Sequence, residues 1–227
     1  MKQPTYNTQR GAFITLEGPE GCGKSTQVKR LESRLTAAGI RVICTREPGG
    51  TAIGEAIRSI LQHDKVDEKP VPEAELLLFL ASRAQLVRKV ILPAIETGVW
   101  VICDRYMDST VAYQGYGRNF GADRIAQLNA FVVGSAIPDL TLLLDLEVSV
   151  GFQRMEARNR QTGGKHDRME RESVDFHERM REGYLDLARR MPDRIRVIRA
   201  DAPPEAVGDA IWEAVCHALG QSGSNVV

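Results

Sequence analysis

No stretch of this sequence approaches the ~18 consecutive apolar residues of a membrane-crossing helix, so no membrane partner is expected. Charge of one sign is not in excess either: 30 basic and 30 acidic residues cancel. A bulk attraction to nucleic acid or to an anionic surface is therefore not expected, although a small anionic substrate needs only a local basic pocket. Cysteine is scarce. Cys22, Cys44, Cys103 and Cys216 form no C-x-x-C pair, which argues against a disulfide framework or a zinc site and for reduced thiols in the cytoplasm. The first ten residues are polar and hold no apolar stretch, so no secretory signal is expected. Repeats, low-complexity blocks and a dividing linker are also missing.

Against these absences stands Gly18-Pro19-Glu20-Gly21-Cys22-Gly23-Lys24-Ser25, which fits G-x-x-x-x-G-K-[ST], the phosphate-cradling loop. It lies between an apolar run, 12–17, and an amphipathic helical pattern, 27–38. At such a junction the first backbone N–H groups of the helix are unpaired and its dipole favours an anion. Glycine lets the chain close on phosphates without Cβ clashes. Residues 18–26, Thr26 included, are thus the expected ATP-binding segment, with Lys24 reaching the outer phosphates and the Ser25 hydroxyl ligating Mg²⁺. The loop implies a nucleoside triphosphate but does not name the reaction.

Five short apolar runs, 12–17, 41–45, 100–104, 140–146 and 195–198, read as buried parallel strands. Helical patterns separate them at 51–61, 73–97, 123–133, 148–160, 171–190 and 204–219. Pro72 suits a first helical turn, and Pro93 should bend or interrupt the end of its helix. The alternation predicts an α/β fold: a five-stranded parallel sheet with helices on both faces, in three layers, and a mobile Arg-rich lid at about 154–168. The expected organisation is one domain, 11–219, between tails at 1–10 and 220–227.

Ligands of open α/β sheets bind beyond the carboxyl ends of the strands. Asp104 ends the third run, where its carboxylate suits Mg²⁺. Arg105 beside it could hold a second phosphate through paired hydrogen bonds; a surface Asp–Arg pair is the plainer alternative. Arg154 and Arg158 share one helix face, and Arg160, Lys165 and Arg168 follow around Gly163-Gly164. Such arginines can neutralise charge on a moving phosphoryl group, or merely form a solvated face. Phe79 and Arg83, four apart, either hold a flat base by stacking and hydrogen bonding or are a core aromatic and a surface cation. Ser109, Thr110, Tyr113 and Gln114 could read a base edge or sugar.

Taken together, FITLEGPEGCGKST (13–26), TREPGGT (45–51), ELLLFLASRAQLV (75–87), DRYMDSTVAYQG (104–115) and the Arg-rich region 154–168 resemble the bacterial thymidylate kinase (dTMP kinase) family, P-loop nucleoside monophosphate kinases. The resemblance implies transfer of the γ-phosphate of ATP to dTMP, with Mg²⁺ as cofactor and a homodimeric protein. It implies that Glu20 meets the sugar 3′-hydroxyl of dTMP and that Arg105 binds its phosphate. Phe79 would stack on thymine, Arg83 bond its O4, Gln114 bond the base edge, and Tyr113 crowd the sugar 2′ position. Arg46 and Glu47 would line the acceptor site. No arginine lies at 19–22; family members of that kind carry their catalytic arginines in the lid, which points to Arg154 and Arg158 alongside Lys24 and Arg105.

The sequence also admits other readings. A regulatory switch GTPase should carry N-K-x-D and D-x-x-G, and neither occurs. A translocating ATPase would want a basic stripe and usually a longer chain. A kinase of the same architecture acting on another nucleoside monophosphate or a deoxynucleoside is the nearest rival.

Overall fold

A computed structural model describes residues 10–62, 68–164 and 166–219. The tails expected at 1–10 and 220–227 fall, Arg10 apart, outside the described residues, as does Lys165 of the expected lid. Five strands form one sheet, β1 (Phe13–Glu17), β2 (Val42–Arg46), β3 (Trp100–Asp104), β4 (Leu140–Asp145) and β5 (Ile195–Arg199). Their spatial order is β2-β3-β1-β4-β5 and every pairing is parallel. The strand that feeds the phosphate loop is therefore central.

The register sets Thr15 beside both Cys103 and Thr141. The Thr15 and Thr141 hydroxyls meet at 2.8 Å, so two buried polar groups satisfy each other across the sheet. All five residues of β1 are buried. β2 and β5 are not, which corrects the expectation of five buried strands: as the two edges, each leaves residues exposed.

Helices α1 (Lys24–Ala37) and α9 (Pro204–Leu219) cover one face, their Leu31, Leu35, Ile211 and Val215 packing on Ile14, Leu142 and Leu144. The other face carries three further long helices. α3 (Pro72–Leu86), α6 (Ala122–Val133) and α8 (Val174–Arg190) meet around Leu80, Ile125, Met180 and Tyr184. α2 (Ala52–Gln62) lies against α3, and α7 (Val148–Thr162) against α8.

The helical pattern at 73–97 is broken, as Pro93 demands. A ring without an N–H cannot close the α-helical ladder. The chain widens into π-helical turns at Val87–Ile91, where the Leu92 N–H reaches back to the Val87 carbonyl, before α4 (Leu92–Glu96) resumes. A second widened segment is unforeseen by the sequence reading: α5 (Met107–Thr110) runs into π-helical turns at Val111–Gly117. Helix α7 continues through Thr162 and ends on left-handed Gly163, two residues past the expected boundary.

Candidate active site

Every strand ends on a charged residue at its carboxyl edge: Glu17, Arg46, Asp104, Asp145 and Arg199. Three of these belong to the site. Helix α1 starts at Lys24, three residues earlier than its apolar pattern, so Lys24 and Ser25 occupy the first helical turn behind the loop. The Lys24 ammonium is held inside the loop by the carbonyls of Gly18 (3.0 Å) and Pro19 (2.9 Å). Cys22 is buried in the core cluster with Ile14 and Leu16, its Sγ 3.4 Å from the Lys24 ammonium. The Ser25 hydroxyl donates to Asp104 Oδ2 at 2.8 Å, so a hydroxyl and a carboxylate from different elements share one point on the rim. An octahedral magnesium ion takes one or two such protein oxygens together with phosphates and waters, and this pair fits it.

Arg105 leaves β3 with φ +67°, a conformation rare for a residue with a Cβ. Two backbone bonds hold it: Arg105 N–H donates to the Leu16 carbonyl (2.9 Å) and Tyr106 N–H to Glu17 Oε1 (2.8 Å). The guanidinium thereby turns toward the loop, donating to Glu20 Oε1 (2.6 Å) and the Gly18 carbonyl (3.1 Å). The Tyr113 hydroxyl also donates to Glu20 Oε1 (2.7 Å), and the Arg105 guanidinium lies 5.0 Å from the Tyr113 ring centre. Burial works against the Glu20 charge, but Arg105, Lys24 and the Tyr113 hydroxyl outweigh it and hold the carboxyl at about 2.

Two cavities open here. The wider, ≈ 450 Å³, is walled by the loop and α1 (Glu20, Gly21, Gly23, Lys24, Ser25, Thr26), by Arg46 and Asp104, and by Arg154 and Arg158 of α7. The narrower takes in Phe79, Arg83, Ser109, Thr110, Tyr113 and Gln114. Glu20, Glu47 and Arg105 line both, so the cavities run end to end with the Arg105–Glu20 pair at the junction. Phe79 and Arg83, which spacing alone left open to a core-and-surface reading, both face this space. Arg83 is no surface cation: it is 1% exposed.

Arg83 is held on nearly every side. Nε bonds Glu47 Oε2 (2.8 Å), Nη2 bonds the same oxygen and the Tyr106 carbonyl (3.0 Å), and Nη1 bonds Asn129 Oδ1 (2.6 Å). Burial pushes the Glu47 carboxyl up while Arg83 pulls it down, and burial prevails. The α7 arginines differ from each other. Arg154 donates to the Ala200 carbonyl (2.9 Å), and Arg158 to Glu170 Oε1 (2.8 Å). Arg160 lies in a separate exposed hollow with Glu156 and His166. Arg168, grouped by sequence with the lid arginines, is tied instead to Glu75 (2.7 Å) and the Leu61 carbonyl (2.8 Å) and does not line the wider cavity.

The chain matches the thymidylate kinase family model over residues 16–211. It belongs to the thymidylate kinase family. Thymidylate kinase of Geobacter sulfurreducens is 52% identical over 209 residues, covering 91% of this chain and 97% of the relative. Thymidylate kinase of Deinococcus radiodurans is 48% identical over 206 residues with the same coverage. The crystal structure of thymidylate kinase from Ehrlichia chaffeensis superposes with a TM-score of 0.73 at 33% identity, covering 91% of this chain and 99% of that one.

Several residues of this thymidylate kinase site escape sequence reading. Arg58 and Gln62 of α2 and Asp167 and Glu170 after α7 line the wider cavity. Arg58 sits in a helix that reads simply as amphipathic, Asp167 in the 154–168 segment read for its arginines, and Glu170 just past it. Glu17 and Tyr184 form a layer behind Arg105. Tyr184 Oη donates to Glu17 Oε2 (3.0 Å), and Ser109 bridges the same two groups. An acid closing an apolar strand gives no sign in sequence that it braces the next strand's exit.

Proposed function

We propose that this chain catalyses transfer of the γ-phosphoryl group of ATP to dTMP, giving ADP and dTDP. The observation that carries this reading is the pair of cavities joined at Arg105 and Glu20, one behind a phosphate loop and one walled by an aromatic ring and a buried guanidinium. An oxygen of the dTMP phosphate attacks the γ-phosphorus, and the bond to the β-phosphate oxygen breaks in line. The protein supplies no nucleophile. Loop N–H groups and Lys24 grip the ATP tail, and Arg105 holds the incoming phosphate. Arg154 and Arg158 stand where lid closure would bring positive charge onto the moving group and shut out water.

In the narrow cavity Phe79 stacks on thymine, Arg83 donates to O4, Gln114 meets the base edge, and Ser109 and Tyr113 flank the sugar, with Arg46 and Glu47 at the rim. Glu20 accepts from the 3′-hydroxyl. Ser25 and Asp104 would hold Mg²⁺, whose charge lowers the repulsion between ATP and its attacker. Residues 11–219 act as one catalytic domain with a lid near 154–168. The unpaired thiols fit a reducing cytoplasm, and among the described residues no helix is long and apolar enough to cross a membrane. The active form is a homodimer.

ATP consumption measured against dTMP, UMP, dCMP and dGMP tests the acceptor. Turnover with dTMP is expected to exceed the others by about 10²-fold or more. Equal use of UMP, or hydrolysis with no acceptor preference, would overturn the reading. Arg105→Ala should raise the KM for dTMP far more than that for ATP.

A further inference from the structure

Gln114 is 1% exposed and lines the narrow cavity. Its Nε2 lies 2.8 Å from Glu75 Oε1. A carboxylate can only accept, so the NH₂ end of the amide must be the end turned to Glu75. Glu75 is itself 1% exposed, in the first turn of α3. Two guanidiniums meet it: Arg118 Nη2 at 3.0 Å, just after the widened segment 111–117, and Arg168 Nη1 at 2.7 Å, from the connection between α7 and α8. Burial opposes the Glu75 charge, but Arg118, Gln114 and Arg168 together hold its carboxyl below the ordinary range.

An ionised Glu75 cannot donate. Turning the Gln114 amide over would set two acceptor oxygens face to face in a buried site, with no proton between them. Oε1 of Gln114 is thus the end left for the cavity. Arg83, with four of its five N–H groups engaged, has a single Nη1 proton to offer. The cavity wall therefore presents one fixed acceptor and one fixed donor.

We propose that Glu75 is a specificity-determining residue that acts through Gln114. By locking the amide, it makes the cavity accept a pyrimidine with an N3–H beside a C4 carbonyl and reject one with an N3 lone pair beside a C4 amino group. Thymine and uracil match both wall groups. Cytosine opposes acceptor to acceptor and donor to donor at once. This rests on the reading that the narrow cavity takes the base.

The test compares kcat/KM for dTMP and dCMP in the wild type, Glu75→Gln, Glu75→Asp and Gln114→Leu. A glutamine at 75 can donate as well as accept, so it lets Gln114 turn. Glu75→Gln should lower the dTMP:dCMP ratio at least about tenfold, mainly through the KM for dTMP, and leave the KM for ATP in place. Glu75→Asp, which keeps the carboxylate, should recover most of that ratio. Equal loss for both nucleotides, with the ratio intact, would make Glu75 a structural residue only and overturn the proposal. Gln114→Leu separates the two levels. If dTMP binding survives it unchanged, the placement of the base fails; if dTMP binding falls but Glu75→Gln leaves the ratio untouched, only the role of Glu75 fails. Should Glu75→Gln not fold, the wild type still decides. The Gln114 side-chain NH₂ protons should be protected from solvent exchange by Glu75 and keep that protection when dTMP binds; protection lost on binding would contradict the lock.

Discussion

Arg105 spends conformational energy to face the loop. A left-handed backbone at a residue with a side chain costs about 1 kcal/mol or more and persists because Glu17 and the Leu16 carbonyl pin the residues around it. Glu17 itself is completely buried. Burial and the nearby Asp108 charge raise its carboxyl from the ordinary 4.5 to about 7, against the pull of Ser109, Arg105 and the Tyr106 N–H. The folded state thus binds a proton that the unfolded chain has already released. The associated stability is complete below pH 4.5 and is lost as pH rises through about 7. Glu17→Gln mimics the protonated acid, so its stability relative to wild type should improve by about 2 kcal/mol between about pH 5.5 and about pH 8. Urea unfolding at the two pH values checks this; a difference independent of pH would remove Glu17 as the titrating group.

Elements meet at this site more closely than side chains permit. In α7, Gly151 lies against the loop: a Cβ there would sit 2.4 Å from the Glu20 carbonyl oxygen. Propensity alone ranks alanine about 1 kcal/mol better than glycine within a helix. Contact overrides it, and Gly151→Ala should be destabilising by about 1–3 kcal/mol with a lower kcat, because the loop must shift. A melting temperature equal to or above wild type would show that α7 is free to move off the loop. The strands and the long helices were legible in the sequence because periodicity reports which face is buried, and, the break of the 73–97 pattern after Leu86 apart, their observed ends fall within about three residues of expectation. The 107–117 segment was not. Its π-helical widening depends on what packs against it, and propensity carries no term for that. Yet this segment places Ser109, Tyr113 and Gln114 on the narrow cavity.

At the scale of the molecule, α2, α3 and α6 pack in series on one side and still carry large apolar side chains outward. Ile53, Ile60, Leu77 (61% exposed) and Phe131 (86% exposed) are the instances. A second copy of the chain is the proposed cover. Leu77→Asp with Phe131→Asp should convert a dimer to a monomer in sedimentation velocity, with little change in the unfolding of each chain; dimers that persist would place the contact elsewhere. What the residues determine without reference to the fold is the triphosphate loop, the βα order and the inventory of arginines, because these depend on local pattern and composition. Which arginines line the cavity behind the loop is different in kind. Arg154, Arg158 and Arg168 are alike in sequence, yet two line the wider cavity and the third is spent on Glu75. Only the three-dimensional packing decides that, since the carboxylate that claims Arg168 lies 93 residues away along the chain (168 minus 75).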